Sequence, residues 1–384
     1  MIQHPLVKFG DVVHQVKDKV DPQTAGLERF VAGEHMDTDN LHIRRWGDVG
    51  AGYLGPAFHM RFKPGQVLYG SRRTYLRKVA VAEFEGITAN TTYVIEPKDP
   101  EVLLPDFLPF IMQTDSFNEH SIKQSKGSVN PYINFSDITW YEFPLPPVDE
   151  QRRIADLLWA ADDSLQEYGE LIQSINQMIA SYRDSFFNNS HDWKKEQLGK
   201  LYEIKLGKMV SPKSRQGILP RPFMSNANVQ WGKIDLTQEV KQMDFTDEEF
   251  EKNRLRYGDL LVCEGGEVGR SAIWRDELPE CGYQKAIHRL RPITDDLPPE
   301  VLLQFMFYAA SRGLFVKFTG QSTIAHFPAE RLRLLEILVP PKESQDEFLK
   351  VLGEMVNSLS AAEKHLAETN NLKLALLKKF IEGA

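Results

Sequence analysis

Cysteine is nearly absent from this sequence: Cys263 and Cys281 are the only two in 384 residues. Two thiols in so long a chain argue against a disulfide scaffold and for a reducing compartment, so a cytoplasmic location is expected. No apolar run is long enough to span a bilayer, and the opening MIQHPLVKFGDVV has no basic segment followed by an apolar one. Neither a membrane span nor a secretory signal is therefore expected. The phosphate-cradling G-x-x-x-x-G-K-[ST] loop is missing, as are H-E-x-x-H and any Cys/His ligand spacing. The ten histidines are scattered, and no spacing pairs two carboxylates for acid–base work. An ATP motor, a metal site and a catalytic centre are all unexpected.

Two fragments imitate chemistry. Gly50-Ala51-Gly52-Tyr53-Leu54-Gly55 fits G-x-G-x-x-G, but that motif needs a strand before it and a helix after it. Here Pro56 follows and no strand–helix alternation surrounds it, so a glycine-rich surface loop is the better reading. Asn130-Pro131-Tyr132-Ile133 is similar to the N-P-P-aromatic loop of adenine methyltransferases. It lacks the second proline, and no glycine-rich cofactor segment accompanies it.

What is present is a globular composition, 42% hydrophobic and 26% charged, with room for two domains. The net charge of -8 argues mildly against a general nucleic-acid coat, but the field that matters lies at a contact surface. Charge is unevenly spread. Lys205 to Ile234 holds no acid, and an acidic stretch, Asp235 to Glu251, follows at once.

The chain also repeats itself. Pro146, Pro147 and Gln151 recur as Pro340, Pro341 and Gln345, and Pro105-Asp106-Phe107 recurs as Pro299-Glu300-Val301. Gly65-Gln66-Val67-Leu68 answers to Gly258-Asp259-Leu260-Leu261, and Val20-Asp21-Pro22 to Val210-Ser211-Pro212. After each proline pair comes a long heptad pattern. The first seam runs Leu158, Ala161, Leu165, Tyr168, Ile172, Ile175, Ile179, Tyr182, Phe186. The second runs Leu352, Met355, Leu359, Ala362, Leu366, Thr369, Lys373, Leu376, Phe380. Thr369 and Lys373 break it, setting a register or marking where the helix leaves its partner. A helix from about Glu150 to Asn188 would be roughly 58 Å long. Two such seams in one chain most simply bury each other, antiparallel, and the competing arrangement packs each on its own module.

The modules read as mixed α and β, not as a doubly wound sheet. Strands are expected over 65–69, 92–96, 259–263 and 286–290, and short helices over 107–117 and 301–315. Cys263 falls in a strand and belongs to a core.

The remaining candidates are polar loops. Residues 71–78 combine Arg72 and Arg73 with hydroxyls and Tyr75, and the equivalent place in the second module is the glycine loop 264–270. Residues 120–134 hold Lys123, Gln124, Ser125, Lys126, Ser128 and Asn130 without an acid, and 311–327 hold Arg312, Lys317, Gln321, Ser322, Thr323 and His326, again without one. Such side chains read base edges and phosphates. The expected contacts are Arg72, Arg73, Tyr75, Lys126, Ser128 and Asn130 in the first module. In the second they are Lys208, Lys213, Arg215, Gln321, Ser322 and His326. A similar scaffold with dissimilar loops suits two readers of different sequences, and ordinary solvated loops are the plainer alternative.

A module, then Pro144-Leu145-Pro146-Pro147-Val148-Asp149-Glu150-Gln151-Arg152-Arg153-Ile154-Ala155, then a heptad helix, then the whole again, resembles the specificity (S) subunit of type I restriction–modification systems. Val339-Pro340-Pro341-Lys342-Glu343-Ser344-Gln345 is a weaker copy of the junction, with Lys342 and Ser344 departing from it. Gly207-Lys208-Met209-Val210-Ser211-Pro212 is similar to the Gly-Lys-Thr-Pro stretch that opens such modules.

The resemblance implies an α+β fold: two mixed α/β target-recognition domains separated by two long antiparallel coiled-coil helices, in a pseudo-twofold repeat. The domains would be 1–146 and 191–339, and the helical spacers 147–190 and 340–384. It implies a non-catalytic, sequence-specific reader of double-stranded DNA, each module taking half of a bipartite site. It implies docking of two methyltransferase (M) subunits, which carry S-adenosylmethionine, and assembly with restriction (R) subunits. The chain itself would need no cofactor or metal. The alternatives are a coiled-coil scaffold that binds no DNA, or a stand-alone methyltransferase or nuclease.

Overall fold

The computed structural model describes residues 4–189, 192–317 and 327–382. It divides into two compact units, Met1–Glu170 with Ala362–Ala384, and Leu171–Ala361.

The first module contains β1 (Leu6–Lys8), α1 (Phe9–Val12), β2 (Val13–Val16), β3 (Arg29–Val31), β4 (Gly47–Asp48), β5 (Phe58–Phe62) and β6 (Val67–Gly70). It continues with β7 (Val79–Val81), β8 (Gly86–Ala89), β9 (Thr92–Pro97), α2 (Leu108–Gln113), α3 (Asp115–Lys123), α4 (Phe135–Ile138) and β10 (Glu142–Pro144). Helix α5 (Val148–Asn188) follows. The second module contains β11 (Lys194–Gln197), α6 (Leu198–Leu201), β12 (Tyr202–Leu206), β13 (Pro220–Met224), β14 (Val229–Gln230), β15 (Lys233–Ile234), β16 (Lys241–Asp244) and α7 (Asp247–Asn253). Then come β17 (Leu260–Cys263), β18 (Ser271–Ile273), β19 (Gly282–Tyr283), β20 (Ile287–Pro292), α8 (Pro299–Ser311), α9 (Ala329–Arg333), β21 (Glu336–Val339) and α10 (Lys342–Leu377). A π-helical turn, Lys378–Glu382, extends α10.

The same strand order recurs. The first module has a sheet β2-β9-β6-β7, and the second has β12-β20-β17-β18. A second sheet holds one parallel pair in each, β3 with β8 and β13 with β19. A two-stranded clasp closes each module, β1 with β10 and β11 with β21. Each sheet centre is buried on both faces, which is why β6 and β17 read as unbroken apolar runs. Val67 and Tyr69 enter one core with Phe9 and Phe117, and Leu68 enters another with Val31 and Phe62. Cys263 is fully buried in β17, and burial pushes its thiol up.

The four expected strands are present. The helix expected over 107–117 is instead two helices. Thr114 breaks it with extended backbone, and its Oγ1 accepts from the Phe117 N–H, capping α3. The helix expected over 301–315 begins at Pro299 and stops at Ser311. The G-x-G-x-x-G stretch lies between β4 and β5, and no helix of two turns follows it.

The proline–glutamine junction has a physical cause in each unit. Gln151 and Gln345 are buried. Gln151 Nε2 donates to Pro146 O at 2.8 Å and Val102 O at 2.9 Å. Gln345 Nε2 donates to Pro340 O at 2.7 Å and Asp296 O at 2.8 Å. Each glutamine thus ties the start of its helix to the loop before the α2 or α8 segment. The two differ at Oε1. Gln151 Oε1 accepts from Leu104 N–H at 2.9 Å. The corresponding residue in the second module is Pro298, which has no N–H, and Gln345 Oε1 finds no donor among the described residues.

No position of either heptad seam is exposed. In the first unit Leu158 and Ala362 are buried, and Tyr168 stacks on His365 with centroids 5.6 Å apart. Lys373, the apparent defect, is buried and donates to the buried Asp162. In the second unit Ile175, Ile179 and Leu352 are buried, and Phe186 stacks on Phe348 with centroids 4.0 Å apart. Leu165, Ile172, Leu359, Leu366 and Leu376 are half-buried.

Candidate nucleic-acid interface

In the first module two loops close into one surface. The β6–β7 turn and the segment after α3 are joined by backbone bonds: Arg73 N–H donates to Pro131 O at 2.7 Å, and Ile133 N–H to Ser71 O at 3.0 Å. Lys126 and Tyr132 exchange a pair of backbone bonds at 2.8 and 2.9 Å. Thr74 and Ser125 hydroxyls bond at 2.8 Å, and Ile133 anchors the loop in the core.

This frame presents the expected residues outward. Arg72, Arg73, Tyr75, Lys126, Ser128 and Asn130 are all exposed. Arg72 lies over the Tyr132 ring, 5.2 Å from its centroid. Arg73 Nε and Nη2 both donate to Asn130 Oδ1, at 3.0 and 2.9 Å. Lys126 Nζ donates to Asp137 Oδ2 at 2.8 Å. That bond keeps the lysine above its ordinary range and draws the carboxyl below its own. The Asn-Pro-Tyr-Ile fragment thus forms a loop clasp. Sequence reasoning missed Tyr132 as a surface partner of Arg72. The available signal was an aromatic inside an acid-free loop.

The second module frames the equivalent turn the same way, with Phe327 N–H donating to Glu264 O at 2.9 Å. Its residues differ. Arg270 reaches Asn226 O at 2.7 Å, and Trp231 Nε1 donates to Glu267 at 2.6 Å. Gln321, Ser322 and His326 lie outside the described residues. Lys213 and Arg215 are exposed on a 3-10 turn. Lys208 is half-buried, bonded to Glu249 at 2.5 Å and to Asp244 O at 2.8 Å. Gly207 beside it has no room for a side chain, since a Cβ would stand 2.2 Å from Tyr283 O. The acid-free run therefore folds partly against the acidic run that follows it, as Arg221 with Asp247 at 2.8 Å also shows.

Among the described residues no three His, Cys, Asp or Glu side chains gather as metal ligands, and no helix is long and apolar enough to cross a membrane.

Comparison with known proteins follows the repeat. The family described as type I restriction modification DNA specificity domain matches twice, over residues 52–177 and 190–370. The EcoDI specificity subunit of Escherichia coli is 29% identical over 151 residues, which are 36% of this chain and 33% of that one. The chain thus spans about a third of that relative. The MjaIX specificity subunit of Methanocaldococcus jannaschii is 20% identical over 344 residues, 84% of this chain and 78% of that one. A chain from a structural study of complex assembly and conformational transition of the type I R-M system aligns with a TM-score of 0.63 at 20% identity, covering 99% of this chain and 98% of that one. At that identity the likeness speaks for the fold alone. With the family match covering well over half of its length, twice and in step with its internal repeat, the chain belongs to the type I restriction modification DNA specificity domain family.

Proposed function

We propose that this chain is the sequence-recognition subunit of a type I restriction–modification complex. Residues 1–146 and 191–339 are its two target-recognition domains, and residues 147–190 and 340–384 are helical spacers that pair antiparallel as a coiled coil. Each domain reads half of a bipartite site in double-stranded DNA. Methyltransferase subunits dock on the helices and bring S-adenosylmethionine, restriction subunits join the complex, and this chain does no chemistry itself. The working place is the cytoplasm.

The observation that carries this reading is one strand order bearing two different sets of loop side chains. Two readers on one chain gain affinity from each other through effective concentration. The seam supports the pairing: Asp162 meets Lys373 and Tyr168 meets His365, so numbering rises on one helix as it falls on the other. Contacts are proposed for Arg72, Arg73, Tyr75, Lys126, Ser128 and Asn130. In the second module they are proposed for Lys213, Arg215, Gln321, Ser322 and His326. Lys208 ranks below these, because it would first have to leave Glu249.

The test is to map methylated sites made by the chain with its methyltransferase subunits. A two-part motif with a fixed gap is expected. A continuous motif, or methyl transfer by this chain alone, would contradict the reading.

A further inference from the structure

Arg73 sits in left-handed backbone, φ 50° and ψ 57°. That conformation costs a side-chain-bearing residue free energy that glycine does not incur. The register of β6 with β17 places Gly266 at the equivalent position, and Gly266 has φ +77°. The second module thus meets the same turn with the residue that suits it, and the first carries an arginine there. Arg77 is also left-handed, φ 49°, but its side chain is explained by the fold: it holds Asp39, Asp115 and Gln113 O. Among the described residues Arg73 has no such anchor: its guanidinium holds Asn130 alone, and both are exposed. Strain kept at an exposed residue without a packing reason points to function.

The pair has a definite hydrogen-bonding character. A guanidinium has only donors, so it fixes which side of the Asn130 amide faces it. Asn130 Oδ1 already accepts two hydrogen bonds, from Nε–H and from Nη2–H, which is the usual capacity of an amide oxygen. A free asparagine recognises adenine by accepting from N6 and donating to N7. Asn130 has no acceptor left for that. What remains is the Nδ2 amide N–H groups and the unspent guanidinium N–H groups, a surface of donors alone. In the major groove guanine shows two adjacent acceptors, O6 and N7, whereas adenine and cytosine each show an amino donor.

We infer that Arg73 and Asn130 form a single donor-only reader that selects guanine in the half-site of the first module. The inference rests on the DNA-reading proposal above and deepens it. The backbone bond from Arg73 N–H to Pro131 O holds the two residues together before DNA arrives.

The test uses the complete chain assembled with its methyltransferase subunits and duplexes carrying its mapped motif. Each guanine of both half-sites is replaced in turn by 7-deazaguanine, which lacks N7. One position is expected at which the replacement weakens binding roughly tenfold, in keeping with the discrimination a bidentate pair gives. Arg73→Ala is expected to lose that sensitivity, and, with Asn130 Oδ1 released, to accept adenine there. Arg73→Gly guards against a folding artefact: it relieves the left-handed strain, so it should unfold at no lower temperature while losing the same discrimination. The inference is overturned if no guanine in either half-site responds, if Arg73→Ala weakens all duplexes alike as a phosphate contact would, or if the selected pair is A·T. Failure to bind any duplex with a salt-dependent affinity would instead overturn the DNA reading itself, and the guanine assignment with it.

Discussion

In the first unit the helix ends meet through charge. Asp162 and Lys373 are both buried and bonded to each other, and His42 Nε2 reaches the same carboxylate at 2.8 Å while its Nδ1 reaches Glu83 at 2.7 Å. In the second unit the helix ends meet through rings: Phe186, Tyr182 and Phe187 gather around the buried Phe348. Carried across the repeat, Asp162 falls on Val356 and Lys373 on Ile179. The charges therefore belong to one end only. A buried ion pair adds little stability against an apolar pair of like volume, but it penalises every register that separates the charges. The difference teaches that a duplicated seam can keep its shape while one copy acquires a register mark.

The largest effect should come from breaking that pair. Lys373→Met leaves Asp162 buried with one cationic partner fewer and should cost about 3–5 kcal/mol, measured by urea unfolding. Asp162→Leu should cost a similar amount. The two changes together should recover most of the loss, and a fully additive loss would show that the charges do not act as a pair. Phe348→Ala is the counterpart in the second unit, and it should also cost roughly 3–5 kcal/mol as a cavity in an aromatic cluster. No apolar double substitution can rescue it as one rescues the ion pair, which sharpens the contrast.

A smaller contrast lies at the junctions. Gln151→Leu strands the Leu104 N–H and the carbonyls of Pro146 and Val102. It should cost roughly 1–3 kcal/mol, and Gln345→Leu should cost less, because it also removes an acceptor that has no donor. Equal losses by thermal unfolding would mean that the missing N–H at Pro298 is immaterial.

The smallest effect is in pH. The hydrogen bond to Asp162 raises the His42 pKa despite burial, and Glu83 adds to it. A raised histidine contributes stability that is complete below its unfolded value of 6.5 and is lost as pH rises through the higher folded value. Burial pushes the Asp162 carboxyl up, but His42 and Lys373 overcome it and hold the group below 3.8, so its contribution is present above that value and fades in acid. His42→Gln should therefore flatten the fall in stability as pH rises above 6.5. An unchanged profile would detach His42 from the linkage.

Much of this was legible in the sequence because periodicity and proline leave strong marks. The seam positions follow from apolar spacing, the two junctions from the repeated prolines and glutamine, and the four strands from short apolar runs. The break at Thr114 was not legible, because a capping threonine inside an apolar run differs from an interior one only in its backbone. A register role for Lys373 was legible as one of two readings, but its partner was not: Asp162 lies on the other helix, and spacing within one helix cannot name it. Among the loops, composition pointed to Arg73 and Asn130 separately. That they share one hydrogen-bonded atom depends on a backbone bond between distant segments. Lys208 shows the converse, a cation in an acid-free run whose partner, Glu249, comes 41 positions later.

The central claim is that the two modules read different sequences independently. The most direct measurement is the methylated-site map of the assembled complex carrying Arg72→Ala and Arg73→Ala, set beside that of the unaltered chain. The account predicts that one half of the motif relaxes or is lost while the other half and the gap stay unchanged. Equal degradation of both halves would contradict it.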